Sequence, residues 1–313
     1  MTQSILAASS VNVGMSAPPA SGWDIHCHTV FSDGTCTPRE LADLAVRSGL
    51  HGVAIADHDT CVGWPFMMFE AERVGLPVLL GTEITSDMDG VSVHMLAFQY
   101  DPHDLVMESL FRRTRQARLD RARAMVRALS RDYPITWNLV VAQAHEGDAT
   151  TIGRPHIADA LVAAGVCTDR SEAFSGILSS SSPYYIPTPS PYAPDVVAAV
   201  HAAGGVSVIA HAGDRSRGSS LLSDEYFGVL VDAGLDGVEV WHRGNQADQR
   251  ERLLGLARRW SLLVTGGSDW HGAGKPNLLG ENLTGDETVA AIMERGVPFK
   301  ELRIQPRALS PNR

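Results

Sequence analysis

Cysteine is scarce in this sequence, and long apolar runs are missing. The 313 residues include four cysteines, and no two of them form a CxxC pair. This pattern excludes a dense disulfide framework and fits reduced thiols in the cytoplasm. No run approaches the roughly 20 apolar residues that a membrane helix needs. Residues 1–22 contain no lysine or arginine, so they lack the basic start of a secretory signal. We therefore expect a cytoplasmic protein with a flexible tail over residues 1–22 and no membrane partner.

Positive charge is in short supply as well. The chain has 26 lysines and arginines against 36 aspartates and glutamates, which gives a formal net charge of −10. Such a surface argues against a broad basic face for duplex nucleic acid or anionic membrane. A phosphorylated substrate would instead be attracted by metal ions or by a local group of arginines.

Seven short apolar segments alternate with helical patterns from residue 23 onward. The predicted strands are residues 23–26, 53–56, 78–82, 91–98, 206–210, 237–241 and 262–266. Helices are predicted at 38–48, 64–74, 194–203, 225–233, 246–260 and 287–295, the first with Thr37 as its N-cap. This alternation predicts parallel βαβ units, and hence an α/β fold with a distorted (β/α)7 barrel of the TIM-like kind.

Residues 103–193 interrupt the alternation. A helical pattern at 105–133 carries eight arginines with acidic residues among them, which favours a solvated face. A second helical pattern follows at 155–164, and then a loop rich in Ser, Pro and Tyr. We predict a helical insertion over the mouth of the barrel. The expected division is a barrel of 23–102 and 194–300, an insertion of 103–193, and a C-terminal tail of 301–313.

Histidines and carboxylates gather where the predicted strands end. They come from seven separate segments: His26, His28, Asp33, Asp57, His58, Asp59, Glu83, His94, His211, His242, Asp269 and His271. Each residue alone is weak evidence, but barrel strands converge on one face, where such enzymes place catalysis. Burying so many ionisable groups without compensation would be very costly, and divalent cations resolve that cost. The sequence therefore predicts a metal site.

The ligand types narrow the choice of metal. Histidine and carboxylate without thiolate suit Mn, Fe or Zn, and we expect two or three ions with Mn favoured. Closely spaced ions would activate a water as hydroxide for attack on phosphorus. Strand alternation should turn Cys27 away from His26 and His28, which argues against a catalytic thiol.

These segments resemble the PHP (polymerase and histidinol phosphatase) family. The matching stretches are DIHCHT from Asp24, FSDG from Phe31, IADHDT from Ile55, GTE from Gly81 and GSDWH from Gly267. The chain looks closest to the stand-alone branch with a helical insertion, which acts on nucleoside 3′,5′-bisphosphates and on 5′-phosphorylated short RNA. That branch carries a Gly-Arg-Pro-His segment in the insertion, here Gly153 to His156.

The resemblance implies a trinuclear metal site and a role for each ligand. One ion would be held by His26, His28, Glu83 and Asp269. Glu83 would bridge to a second ion on His94 and His211, and Asp33, His58 and His271 would hold a third. Asp57 would orient a ligand rather than bind a metal.

Phosphate recognition needs cationic donors near the metals. Arg154 is the leading candidate, because a guanidinium can grip two phosphate oxygens and stabilise the reacting group. The other candidates are His156, Arg215 and His242, the last also as the acid that protonates the leaving oxygen. The family's usual His-Pro reads His211-Ala212 here, which leaves the loop that carries Arg215 in question.

Taken together, the predicted function is hydrolysis of nucleotide phosphomonoesters. The expected substrate is a nucleoside 3′,5′-bisphosphate, cleaved at its 3′-phosphate, and a short RNA attacked from its 5′ end is a further possibility. The alternatives are histidinol phosphate or another small phosphomonoester, a metal-dependent amidohydrolase, and a non-catalytic metal-binding module.

Overall fold

In the computed structural model, which describes residues 17–217, 220–302 and 304, seven strands form one sheet in chain order. They are β1 (Trp23–Cys27), β2 (Gly52–Ile55), β3 (Val78–Met88), β4 (Val91–Phe98), β5 (Val206–Ile209), β6 (Gly237–Trp241) and β7 (Leu263–Gly266). The two ends of the sheet meet, because the backbone N–H of His28 donates to Trp270 O at 2.8 Å. The sheet is thus a nearly closed barrel, and the predicted α/β barrel is confirmed.

Ten α-helices accompany the strands in the part of the chain that the structure describes. They are α1 (Pro38–Arg47), α2 (Trp64–Val74), α3 (Leu105–Leu129), α4 (Trp137–Val141), α5 (Arg154–Ala163), α6 (Arg170–Ser175), α7 (Ala193–Ala202), α8 (Asp224–Asp232), α9 (Ala247–Trp260) and α10 (Asp286–Arg295). Thr37 caps α1 as predicted, and its side chain accepts from Glu40 N at 3.2 Å. The short helices α4 and α6 were not predicted, because neither is long enough to show helical periodicity.

Strand β4 departs from the predicted parallel order. It pairs antiparallel with both β3 and β5, whereas the other neighbouring strands pair in parallel. Only Asp89 and Gly90 separate β3 from β4, and both have positive φ, at 51° and 87°. A two-residue turn of this kind closes a hairpin and leaves no room for a crossover helix. The predicted parallel βαβ order therefore does not hold at β4.

Helix α3 carries the chain back toward the carboxyl ends of the parallel strands. Because β4 runs in the opposite direction, it delivers the chain to the other rim of the barrel. With 25 residues, α3 is about 38 Å long, enough to return along the barrel wall. Its first turns, with Met107 and Leu110, join the core between strands and helices. Its last turns, with Met125 and Leu129, join a separate core with α4, α5 and α6.

This separate core is consistent with the predicted insertion, whose boundaries stay a prediction. It contains apolar residues between Ala122 and Ile186 only. Residues 1–16 of the predicted N-terminal tail, and most of 301–313, lie outside the described residues. Among the helices described, none is both long and apolar enough to cross a membrane.

Candidate metal centre

Strand β1 supplies the first two ligand candidates. His26 on β1 and His28 just after it are two residues apart in extended backbone, so both imidazoles face the same side and both lie near Glu83 Oε2. Cys27 turns away and packs in the core between strands and helices, as predicted. Burial raises the pKa of this thiol well above its usual value, so it stays protonated and inert. The role of Cys27 is therefore packing.

Four donor atoms from β1, β3 and the residues that follow β1 and β7 form a compact set. The Nε2 atoms of His26 and His28 lie 3.4 and 3.1 Å from Glu83 Oε2. They lie 3.5 and 3.4 Å from Asp269 Oδ1. Four donors at about 2.1 Å around a tetrahedral ion would be about 3.4 Å apart, so these spacings fit one divalent cation. This is the set that the sequence predicts for the first ion.

Glu83 faces further imidazoles with both of its oxygens. Its Oε1 lies 2.8 Å from His94 Nδ1 and 2.8 Å from His211 Nε2, which are the ligands predicted for a second ion. Its Oε2 also lies 3.3 Å from His58 Nδ1. The compact donor set on this side consists of His58, Glu83 and His94, and it does not include His211. A carboxylate in this position can bridge two ions.

The third predicted ion has a donor set of its own. Asp33 Oδ1 lies 3.1 Å from His271 Nε2, and Asp33 Oδ2 lies 3.8 Å from His58 Nε2. His28 belongs to this set as well. The structure thus brings together all nine predicted ligands, although His28 and His58 each face two of the sets. Glu83 lies within β3 rather than at its end, because the hairpin lengthens that strand.

The donor atoms of these residues fit divalent cations because several of them are buried and have no hydrogen-bond partner. Buried atoms without a hydrogen-bond partner include the Nε2 atoms of His26, His28 and His271, Asp33 Oδ1, Glu83 Oε2 and Asp269 Oδ1. Buried polar atoms are otherwise almost always paired, so a converging set of unpaired ones is unusual. The histidine and carboxylate donors suit Mn, Fe or Zn.

A neighbouring carboxylate orients the imidazole of His26 and holds the backbone of His211. Glu239 is fully buried on β6; its Oε1 accepts from His26 Nδ1 at 3.0 Å and its Oε2 accepts from His211 N at 2.7 Å. With the proton on Nδ1, the lone pair of His26 Nε2 faces the donor set. Glu239 was not predicted, although a carboxylate within an apolar strand is a visible signal in the sequence.

Asp57 does not belong to any of these donor sets. Its carboxylate accepts from Thr29 N at 2.8 Å and from Ser32 Oγ at 2.6 Å, which shapes the loop that carries Asp33. These contacts agree with the expected role of Asp57, which is to orient a ligand rather than to bind a metal.

Replacing Glu239 with Gln should weaken metal binding about 10- to 100-fold, as is usual for the partner of a ligand histidine. Gln carries no charge, and its side-chain NH2 would face one of the two N–H groups that now donate to Glu239, at His26 Nδ1 or at the backbone of His211. Activity measured against Mn²⁺ concentration should show a higher half-saturation and recover at saturating metal. An unchanged Mn²⁺ requirement would contradict this role.

Positive side chains lie beside the outer oxygen of Asp269. Lys275 Nζ donates to Asp269 Oδ2 at 2.8 Å, and Arg217 Nη2 donates to the same oxygen. Burial alone would raise the pKa of Asp269, but Lys275 and Arg217 lower it well below its usual value. No role was predicted for Arg217 or Lys275, since both lie in loops without periodicity.

His242 is buried next to these cations. Its Nε2 lies 3.9 Å from Asp269 Oδ2 and has no hydrogen-bond partner. Gly244 N–H donates to its Nδ1 at 3.1 Å, so a neutral ring carries its proton on Nε2. Burial lowers the pKa of His242, which favours that neutral form near pH 7. The ring can therefore offer a hydrogen bond toward the metal ligands.

The other predicted phosphate ligands lie in different surroundings. Arg215 is about half exposed and pairs with Asp248 at 2.6 Å, so the structure does not bring it to the metal ligands. His156 is buried, and its Nδ1 accepts from Gly153 N at 3.1 Å, which holds the turn before α5. Arg154 lies in the insertion, with its guanidinium over the rings of Phe174 and Tyr185.

The chain is similar to a known domain family and to several known proteins. The PHP domain profile matches residues 24–152. A crystal structure of a proposed metal-dependent phosphoesterase from Bifidobacterium adolescentis is 63% identical, covers 91% of this chain and 99% of its own, and has a TM-score of 0.90. A 3′,5′-nucleoside bisphosphate phosphatase from Chromobacterium violaceum is 29% identical, over 80% of this chain and 88% of the relative. The 5′-3′ exoribonuclease Rnm of Escherichia coli is 30% identical, over 80% of this chain and 85% of the relative.

Proposed function

Because this chain belongs to the PHP family of metal-dependent phosphoesterases and is a hydrolase of phosphoester bonds, we propose that it removes the 3′-phosphate of nucleoside 3′,5′-bisphosphates. Attack on 5′-phosphorylated short RNA from its 5′ end is the second activity that we propose. The observation that carries the proposal is a complete set of metal ligands in a chain similar to a 3′,5′-nucleoside bisphosphate phosphatase and to a 5′-3′ exoribonuclease.

We propose that the nine predicted ligands hold two or three divalent ions, with Glu83 as the bridge. When bound, such ions supply Lewis acidity and lower the pKa of a water toward neutrality. The protein fixes their positions, because Glu239 orients His26 and the Thr29–Ser32 loop, bonded to Asp57, presents Asp33. Rigid placement of this kind avoids reorganisation of charge during the reaction.

The reacting phosphate is proposed to lie beside Asp269, on the side of Arg217, Lys275 and His242. Arg217 and Lys275 stabilise negative charge on the phosphoryl oxygens as it redistributes. His242, as a neutral ring, donates a hydrogen bond from Nε2 to the leaving oxygen, and that oxygen takes its proton from water; this replaces the earlier expectation of a protonated histidine as the acid. Arg217 thereby takes the role that the sequence favoured for Arg215.

A panel of substrates tests this proposal. With Mn²⁺ present, kcat/KM should be highest for 3′-phosphoadenosine 5′-phosphate, with adenosine 5′-phosphate as the product, and lower for histidinol phosphate. A short RNA with a 5′-phosphate should be shortened, and the same RNA with a 5′-hydroxyl should react more slowly. A higher kcat/KM for histidinol phosphate, or release of the 5′-phosphate first, would contradict the proposal.

A further inference from the structure

The arginines of α3 lie on different faces of this helix. Arg118 and Arg121 are partly buried and point inward, and Arg118 pairs with Asp59 at 2.7 Å. The solvated face predicted for α3 was therefore wrong for these two residues. Arg112 and Arg123 are exposed on another face, where they line a cavity between α3, α4, the loop after β2 and residues 147–152. We call this cavity the outer cavity.

The outer cavity is separate from the metal centre. Of the residues that the structure describes, none of the nine predicted metal ligands lines it, and neither do the cations beside Asp269. Its volume of about 580 Å³ lies within the range of small-molecule sites. Apolar side chains form part of its wall, namely Phe111, Leu119, Trp137 and Ile152. The outer cavity is therefore large enough, and apolar enough, for an organic ligand of its own.

Thr151 in this wall has a buried hydroxyl without a partner. The residue is 3% exposed, and its Oγ1 has no hydrogen-bond partner among the described residues. The hydroxyl of the neighbouring Thr150, in contrast, donates to Val30 O at 2.9 Å. Buried polar atoms are almost always paired, so the Thr151 hydroxyl is an exception that needs a cause. A ligand with a polar atom beside Thr151 would supply the missing hydrogen bond.

Positive charge exceeds negative charge along the outer cavity. Arg112, Arg115 and Arg123 line it, and so do Glu108 and Asp59. Asp59 is already paired with an inward-pointing arginine of α3, so Glu108 remains to offset three guanidiniums. The contacts of Arg112 and Arg123 among the described residues are with uncharged groups, a serine hydroxyl and a tryptophan ring. An anionic ligand fits this excess of positive charge, because guanidiniums bond well to the oxygens of an acidic group.

The cations and an aromatic ring are spaced along the outer cavity. Arg112 and Arg115 lie one turn apart on α3, and Arg123 lies about 12 Å further along the helix. The guanidinium of Arg123 is 5.2 Å from the centroid of the Trp137 ring, so Trp137 marks the far end. One end thus offers guanidiniums for an acidic group, and the other offers an aromatic ring for stacking.

We propose that the outer cavity is a second ligand site, which binds a small aromatic anion of the size of a nucleoside monophosphate. Arg112 and Arg115 bond the acidic group of this ligand, and its ring stacks near Trp137. Thr151 Oγ1 bonds a polar atom of the ligand. The inference does not rest on the proposed function, because no residue of the outer cavity takes part in the proposed reaction.

Calorimetry with Mn²⁺-loaded protein and adenosine 5′-phosphate tests the site. Arg112→Gln is the variant, and Arg113→Gln is the matched control, because Arg113 is exposed next to Arg112 and does not line the cavity. The affinity should fall about tenfold or more in Arg112→Gln, as expected for loss of a charge-assisted hydrogen bond, and stay unchanged in the control. Adenosine, which lacks the acidic group, and inorganic phosphate, which lacks the ring, should bind more weakly. Equal affinities of the two variants would overturn the site.

Photolabelling locates the binding and separates this inference from the proposed function. After irradiation with 8-azidoadenosine 5′-phosphate, label should appear on α4, which supplies Trp137, and excess adenosine 5′-phosphate should prevent it. The kcat/KM for 3′-phosphoadenosine 5′-phosphate should be the same in Arg112→Gln and in the wild type. Label confined to the surroundings of the metal centre, or a loss of kcat/KM as large as the loss of affinity, would overturn a separate site. If the wild type hydrolyses no phosphomonoester but α4 is labelled, the proposed function fails and the outer cavity stands. Matching melting temperatures of the variants exclude unfolding.

Discussion

Replacing Glu83 with Gln should lower kcat/KM for a phosphomonoester by about 1000-fold, because Lewis-acid stabilisation is worth several kcal/mol and each 1.4 kcal/mol is tenfold. Glu83 is the residue that faces most of the imidazoles: its two oxygens lie within 3.4 Å of nitrogen atoms of His26, His28, His58, His94 and His211. A neutral amide cannot bridge two cations with equal strength. Loss of the bridge should therefore weaken binding of the first and the second ion together.

The measurement is steady-state phosphate release together with metal content of the purified variant. Glu72→Gln is the matched control, since Glu72 is an exposed carboxylate on α2. That control should keep its full activity and metal content. If Glu83→Gln retained activity within tenfold of the wild type, the bridging role would be wrong.

Removing the metal should lower the melting temperature of the protein. Ions that bind only the folded state stabilise it by about 2.7 kcal/mol per site at a free concentration 100 times Kd, which corresponds to a shift of about 4 °C per site for a chain of 313 residues. The physical reason is the set of buried donor atoms that have no other partner, such as Glu83 Oε2 and Asp33 Oδ1. Calorimetric scans with Mn²⁺ and with chelator measure the shift.

The same scans on a variant distinguish site binding from a general effect of salt. In Glu83→Gln the difference in melting temperature between Mn²⁺ and chelator should be smaller than in the wild type. Glu72→Gln should show the full shift. A wild-type melting temperature that does not respond to chelation would mean that the donor sets do not hold ions in solution.

Much of the barrel was predictable because its strands are local features of the sequence. Each strand is a short apolar run with a polar residue at its end, and all seven were found within a few residues, apart from the extension of β3. The ligand candidates followed from the same pattern, since convergence of strand ends is a property of barrels. Asp89-Gly90 was a visible hairpin signal that the regular alternation of the other strands concealed.

The remaining features depend on contacts that no local pattern encodes. Which arginines of α3 face inward is decided by how that helix crosses the barrel, so Arg118 and Arg121 could not be told from their exposed neighbours. Arg217 and Arg215 are two residues apart in one loop, and the backbone there determines which of them reaches Asp269. Glu239, in contrast, could have been predicted, because a carboxylate inside a buried apolar strand is visible in the sequence. It was missed because only the residues at strand ends were considered.

The central claim is that this protein cleaves phosphoesters with metal ions held by the donor sets around Glu83. Its most direct test is phosphate release from 3′-phosphoadenosine 5′-phosphate before chelation, after chelation, and after return of Mn²⁺. We predict rapid release at first, loss of activity in chelator, and recovery when Mn²⁺ is restored. Phosphate release that continues unchanged in a protein shown to contain no metal would contradict the claim.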